Sequence, residues 1–172
     1  AAVVLHASLP SSTPEGMREE ALAVRPVDFG NARDSEQYLT LLDTYASDPM
    51  GAGSPLPCSV RERLVTDLAG HPGAYCLLAE HGDEAVGFAT CFLGYSTFRA
   101  RPLLNIHDIA VSPGWRGKNV ARHLLAAISE LGRQLECCRV TLEVREDNSR
   151  ARKVYESAGF APAQCSLFME KP

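Results

Sequence analysis

The sequence has no apolar run approaching the ~20 residues that a membrane-spanning helix needs, so no membrane partner is expected. It has no basic excess: 17 Lys and Arg stand against 21 Asp and Glu, a net charge of −4. A nucleic-acid binder presents a basic face, so no nucleic-acid partner is expected either. Six cysteines are present, yet none form a C-x-x-C pair, and five histidines show no zinc spacing with each other or with cysteine. No metal site is expected on that count. Several cysteines sit inside apolar strand-like runs, which reads as buried reduced thiols in a cytoplasmic protein. No internal repeat or low-complexity linker is visible, which supports one domain over residues 19–172. Residues 1–18 begin with a short apolar stretch but have no basic segment before it. They lack the marks of a signal peptide and read as a flexible leader.

Motif absences narrow the chemistry further. G-x-x-x-x-G-K-[ST] is missing, and so is G-x-G-x-x-G. A standard triphosphate loop and a dinucleotide fingerprint are thereby set aside. No G-x-S-x-G elbow appears, which removes the commonest nucleophilic serine turn.

What is present is an ordinary apolar fraction of 45% in 172 residues, enough for a real core. Residues 21–27 read as a first strand. Residues 33–47 carry Tyr38, Leu41, Leu42 and Tyr45 at helical spacing, with Asp34 or Ser35 as cap. The Gly/Pro-rich stretch 48–55 is a loop, either a plain connector or the wall of a binding site. Ser59 and Glu62 fit a capping box opening a second helix to about Ala69. Residues 74–80 and 85–95 read as strands joined by a four-residue hairpin turn, 81–84. Residues 95–102 hold Tyr95, Phe98, Arg99 and Arg101, as ligand-facing groups or as solvated charge. Val120, Leu124, Ala127, Ile128, Leu131 and Leu135 form the stripe of an amphipathic helix. Residues 138–144 alternate, with Val140, Leu142 and Val144 turned inward. Asn148 caps a further helix that Gly159 stops, and 164–170 reads as a last strand. The resulting order is β, α, α, β, β, β, α, β, α, β: mixed α/β, with an antiparallel meander feeding a parallel pair.

The informative stretch is Leu103 to Ala121. An apolar strand interrupted by Asn105, His107 and Asp108 runs into the turn Ser112-Pro113-Gly114. Arg116-Gly117-Lys118-Asn119-Val120-Ala121 then opens a helix. A helix N-terminus offers unpaired N–H groups and partial positive charge. With a glycine for close approach and two cations beside it, this is a cradle for a pyrophosphate.

These residues resemble the GCN5-related N-acetyltransferases, the GNAT family. The family pattern [Q/R]-x-x-G-x-[G/A] stands here as Arg116 to Ala121, with Asn119 in place of the central glycine. About thirty residues on, Asn148, Ala151, Tyr155, Gly159 and Phe160 match N-x-x-A-x-x-x-Y-x-x-x-G-F. The resemblance covers about residues 22–170. It implies a mixed, mostly antiparallel central sheet flanked by helices, whose fourth and fifth strands are parallel and splayed.

The resemblance also implies acetyl-CoA as cofactor and no metal. Ile109, Ala110 and Val111 would orient the thioester through their backbone. Arg116, Gly117, Lys118, Asn119, Val120 and Ala121 would hold the pyrophosphate, with Asn148 at the cofactor site. An acceptor amine would attack the thioester directly, and Tyr155 would protonate the departing thiolate. A typical alkylammonium has a pKa of about 10.4, so a base is useful near neutral pH. His107 is the candidate, an imidazole suited to proton uptake there. Asp108 or water are alternatives, and a hydrogen-bonded core histidine is the bland reading of His107. Strand alternation would turn only one of His107 and Asp108 toward the acceptor. The implied reaction is acetylation of a primary amine on a small molecule. Acetylation of a protein lysine or N-terminus, and an acyl-CoA sensor without turnover, are the competing readings. Homodimers are common in the family.

Overall fold

Strand-forming runs and one strongly amphipathic helix produce a single five-stranded sheet packed on both faces. The structure is a computed structural model and describes residues 21–163. The leader 1–18 and the expected strand 164–170 lie outside the described residues. The elements are β1 (Leu22–Pro26), α1 (Ala32–Ser47), α2 (Cys58–Gly70), β2 (Ala74–His81), β3 (Glu84–Ser96) and β4 (Arg101–Val111). A single 3-10 turn follows (Pro113–Trp115), then α3 (Val120–Gln134), β5 (Val140–Leu142) and α4 (Ser149–Ser157).

The strands lie in the order β1-β2-β3-β4-β5. Every neighbouring pair is antiparallel except β4 and β5, which are parallel. Their pairing covers only Leu104↔Val140, Asn105↔Thr141 and Ile106↔Leu142. Strand β4 continues to Val111, so its last residues leave their outer edge open. That gap is the splay expected of the fourth and fifth strands.

Two cores form on opposite faces. On one, Val120, Leu124, Leu125, Ile128 and Leu131 of α3 pack on Leu77, Ala89, Cys91, Leu104 and Ile106. At Gly87 an added Cβ would lie 3.0 Å from both the Ala110 carbonyl oxygen and Val120 Cγ1. Glycine there lets the start of α3 sit directly on the sheet. On the other face, Tyr38, Leu41 and Leu42 of α1 and Leu68 of α2 cover Cys76, Leu78 and Phe88. The Tyr38 hydroxyl is satisfied by Thr90 Oγ1 at 2.6 Å.

Several local expectations are corrected. Asn31, not Asp34 or Ser35, caps α1, accepting from the Arg33 N–H at 2.9 Å. Asp34 is buried instead and takes the Arg25 guanidinium. The capping box on α2 does not form, because Cys58 is already helical and Pro57 holds the cap position without a side-chain bond. The β2–β3 turn is shorter than expected, since His81 pairs with Glu84 across it. Strand β5 is only three residues long and Val144 is exposed.

Candidate active site

Where β4 outruns β5 there is a cavity of about 480 Å³. One wall is the backbone of Ile109, Ala110 and Val111, whose inner edge pairs with β3 at Ala89, Phe88 and Gly87. The starts of α3 and α4 open on the same space, through Val120 to Arg122 and Ser149 to Ala151. Two helix N-termini thus bring free N–H groups and partial positive charge to one place. Asn148 caps α4, accepting from the Ala151 N–H at 3.1 Å.

The cradle is built by backbone conformation. Gly117 has φ +84° and Asn119 φ 64°, ψ 5°. An α-helix cannot contain two left-handed residues, so α3 starts at Val120 rather than at Arg116 as expected. Asn119 therefore keeps the turn that a glycine would make, and its side chain makes no cap bond. A Cβ on Gly117 would meet nothing nearer than Arg150 Nη2 at 3.9 Å, so the backbone there faces open space. These features fit a pyrophosphate. Arg116 lines the cavity and gives Nη2 to Asp48 Oδ2 at 2.8 Å. That guanidinium, with the Met50 N–H, holds the Asp48 carboxyl below the usual carboxylate range.

Lys118 departs from the expected arrangement. Its Nζ lies 4.5 Å from the centroid of the Trp115 ring, a cation–π contact that turns it out of the cavity lining. His107 also lies outside the lining; it is exposed, with its ring 5.5 Å from that of Phe92. The other site residues named from the sequence all line this one cavity.

The β4 alternation contains a break that the sequence did not announce. Thr90 pairs with Asp108 but Cys91 pairs with Ile106, so His107 is an extra residue, a β-bulge. The bulge resets the alternation. Asp108 therefore shares the face of Thr90 and of α1, the same side as His107, and the expectation of opposite faces is corrected. Burial raises the Asp108 carboxyl above its ordinary pKa, and His107 partly offsets this.

Tyr155 lines the cavity, its ring edge-on to Phe160 at 6.2 Å. Burial, then the nearby Tyr45, push its phenol up to about 12. Tyr45 lines the cavity as well, and burial and the charge of Asp108 raise its pKa too. Sequence reasoning placed Tyr45 on an apolar stripe and did not single it out. Arg122 and Arg150 were likewise passed over, although both stand beside motif positions. Among the described residues, no three His, Cys, Asp or Glu side chains gather as metal ligands would.

Residues 39–160 match the family model described as acetyltransferase (GNAT) family. Thialysine N-epsilon-acetyltransferase of Bos taurus is 28% identical over 96 residues, which cover 51% of this chain and 56% of that protein. Aminoglycoside N(6')-acetyltransferase type 1 of Stenotrophomonas maltophilia is 27% identical over 114 residues, 64% of this chain and 74% of that one. The chain thus spans little more than half of the bovine protein and about three quarters of the bacterial one. Among solved structures, AAC(6')-Iy in complex with the bisubstrate analog CoA-S-monomethyl-acetylneamine aligns with a TM-score of 0.74 at 19% identity. That alignment covers 88% of this chain and 99% of that one, and at such identity it speaks for the fold. The family match, the splayed parallel pair and the left-handed cradle agree, and the chain belongs to the GNAT family of acetyltransferases, which use acetyl-CoA.

Proposed function

We propose that this chain transfers the acetyl group of acetyl-CoA to a primary amine of a small molecule by direct attack. The observation that carries the reading is the single cavity that gathers the open β4 edge, the cradle, two helix N-termini and Tyr155. In it, the α3 N-terminus and Arg116 bind the pyrophosphate, and the backbone at 109–111 orients the thioester and supplies an N–H to the developing oxyanion. The Lys118 side chain rests on Trp115, outside the cavity lining, so this reading leans on Arg116 rather than on Lys118. Tyr155 lines the cavity with a phenol that is protonated at neutral pH, as phenols are, and burial holds that proton more firmly still. In this reading its role is to give that proton to the strongly basic thiolate as the C–S bond breaks.

Proton uptake from the amine falls to the His107–Asp108 pair, with Asp108 as the inner member. A carboxyl lifted by burial is a better base near neutral pH than an ordinary one. A small-molecule acceptor is supported by relatives whose names specify thialysine and aminoglycosides. A cytoplasmic setting agrees with the described cysteines, which are all free thiols.

The test is thiol release from acetyl-CoA across a panel of small amines, lysine peptides and N-terminal peptides. Release with small amines only is the expected result. Release only with peptides would shift the assignment to protein acetylation, and CoA binding without release for any amine would leave a sensor. Tyr155→Phe should lower kcat about 10- to 100-fold with KM for acetyl-CoA little changed; unchanged kcat would remove Tyr155 from the chemistry.

A further inference from the structure

The charged side chains that line the cavity divide into paired and unpaired groups. Asp48 and Arg116 hold each other at 2.8 Å. Asp147 is taken by Arg145, also at 2.8 Å. Arg122, in the first turn of α3, and Arg150, in the first turn of α4, remain. Neither side chain has a hydrogen bond or an ion pair among the described residues. The chain has a net charge of −4, so carboxylates to pair with are not scarce. Arg150 is also placed more narrowly than a surface arginine need be. Its Nη2 lies 3.9 Å from the point where a Cβ on Gly117 would stand. Gly117 is the first left-handed residue of the cradle, at φ +84°. The guanidinium of α4 thus stands over the cradle backbone that leads into α3. Lys118, the cation inside the turn, is instead drawn onto Trp115, with Nζ 4.5 Å from the ring centroid and outside the cavity lining.

We propose that Arg150 is a further cofactor-binding residue, a second arm of the cradle that takes the pyrophosphate of acetyl-CoA from the α4 side. The inference rests on the reading of this cavity as the acetyl-CoA site. A pyrophosphate spreads its charge over oxygens that point in several directions, so donors on one side leave others unmet. The α3 N-terminus supplies N–H groups from one side. Arg116 stands beside it with part of its donor capacity already given to Asp48. Arg150 brings a planar fork of N–H donors, all of them uncommitted, and such a fork matches phosphate oxygens two at a time. Its position over Gly117 selects the pyrophosphate rather than the 3′-phosphate of the cofactor, because Gly117 belongs to the cradle turn itself. The cation that the turn loses when Lys118 stacks on Trp115 is therefore replaced from another helix.

The test compares the Kd values of three ligands, by titration calorimetry, in wild type and Arg150→Gln. The ligands are acetyl-CoA, 3′-dephospho-acetyl-CoA and S-acetylpantetheine, which has no phosphate. In Arg150→Gln the Kd should rise about tenfold for both pyrophosphate-bearing ligands, by the same factor, and stay within about twofold for S-acetylpantetheine. Arg150→Lys should recover only part of the loss, since an ammonium keeps the charge without the fork. Arg152→Gln removes the same charge from the same helix, at a residue outside the cavity lining whose Nη1 donates to the Glu146 carbonyl. Its three Kd values should stay within about twofold of wild type, as for an exposed charge remote from the ligand. Unchanged Kd values in Arg150→Gln would overturn the proposal. So would a loss confined to acetyl-CoA, which would move Arg150 to the 3′-phosphate, a loss shared by S-acetylpantetheine, or an equal loss in Arg152→Gln. Each of these leaves the acetyl-CoA reading standing. A wild-type protein that bound none of the three ligands would instead strike that reading.

Discussion

At the scale of single residues, two side chains show how the site bends ordinary rules. Asn119 occupies a left-handed conformation that costs most residues roughly 1–2 kcal/mol and asparagine less. Replacing it by glycine should add about 0.5–1 kcal/mol in urea unfolding and leave KM for acetyl-CoA no worse. Asn119→Val should lose about 1–2 kcal/mol and weaken acetyl-CoA binding, because a β-branched residue resists positive φ. Asp108 works in the opposite sense. Its carboxyl is raised by burial, so its ionised form opposes folding. The sign follows: the folded chain binds this proton more tightly than the unfolded chain, and stability falls as pH rises through the ordinary carboxylate range toward the raised pKa. Asp108→Asn should therefore raise Tm at pH 7 while lowering kcat/KM about 100-fold or more, the exchange of stability for function seen at working sites. A lower Tm with unchanged kcat/KM would remove Asp108 from the reaction.

At the scale of elements, α1 is fastened at both ends, to the sheet at its start and to the cradle at its end, and the second fastening bears on the cavity. At its start, Arg25 of β1 bonds Asp34 through Nη2 at 2.8 Å and Glu80 of β2 through Nε at 2.8 Å. Asp34 also accepts from the Asp28 N–H at 2.9 Å, and the Arg25 guanidinium holds its carboxyl below the usual range. Because the folded pKa is depressed, the stabilisation is present above the ordinary carboxylate pKa and disappears as pH falls through the lowered one. Asp34→Asn should cost about 2 kcal/mol at pH 7, with half-exposed Arg25 softening the loss, and the gap to wild type should narrow on acidification. Chemical denaturation at pH 7 and near pH 3 measures both. At its end, Asp48 binds Arg116 and its backbone accepts from the N–H groups of Gly51 and Gly53 at 2.8 and 3.3 Å. The loop after α1 is thereby tied to the cradle. This supports the reading of 48–55 as a binding-site wall over that of a plain connector, since Asp48 and Met50 line the cavity.

At the scale of the whole molecule, the cavity exists because the sheet comes apart between β4 and β5, and a ligand there should hold several elements together. At one hundred times its Kd, acetyl-CoA should stabilise the fold by about 2.7 kcal/mol, a rise in Tm of roughly 5–10 °C for a chain of this size. A thermal shift with acetyl-CoA and none with dephosphorylated pantetheine fragments would place that energy on the cradle; equal shifts would place it on the pantetheine side. The sequence by itself determined the order of the described elements, because each strand and helix announces its period and its punctuation locally. It also pointed to the turn at Arg116 to Ala121 and to Tyr155, which line one cavity, since both stand in short motifs whose pattern lies in adjacent residues. Tertiary structure alone decided the rest. A bulge is set by the register between two strands, so no local signal could put His107 and Asp108 on one face. The stacking of Lys118 on Trp115 depends on where the turn lays the ring. Tyr45 has the spacing of a core residue, and only the parting of β4 from β5 leaves it at the wall of a cavity. Helical period records which side of α1 faces the sheet; it carries no information about whether the sheet there is closed.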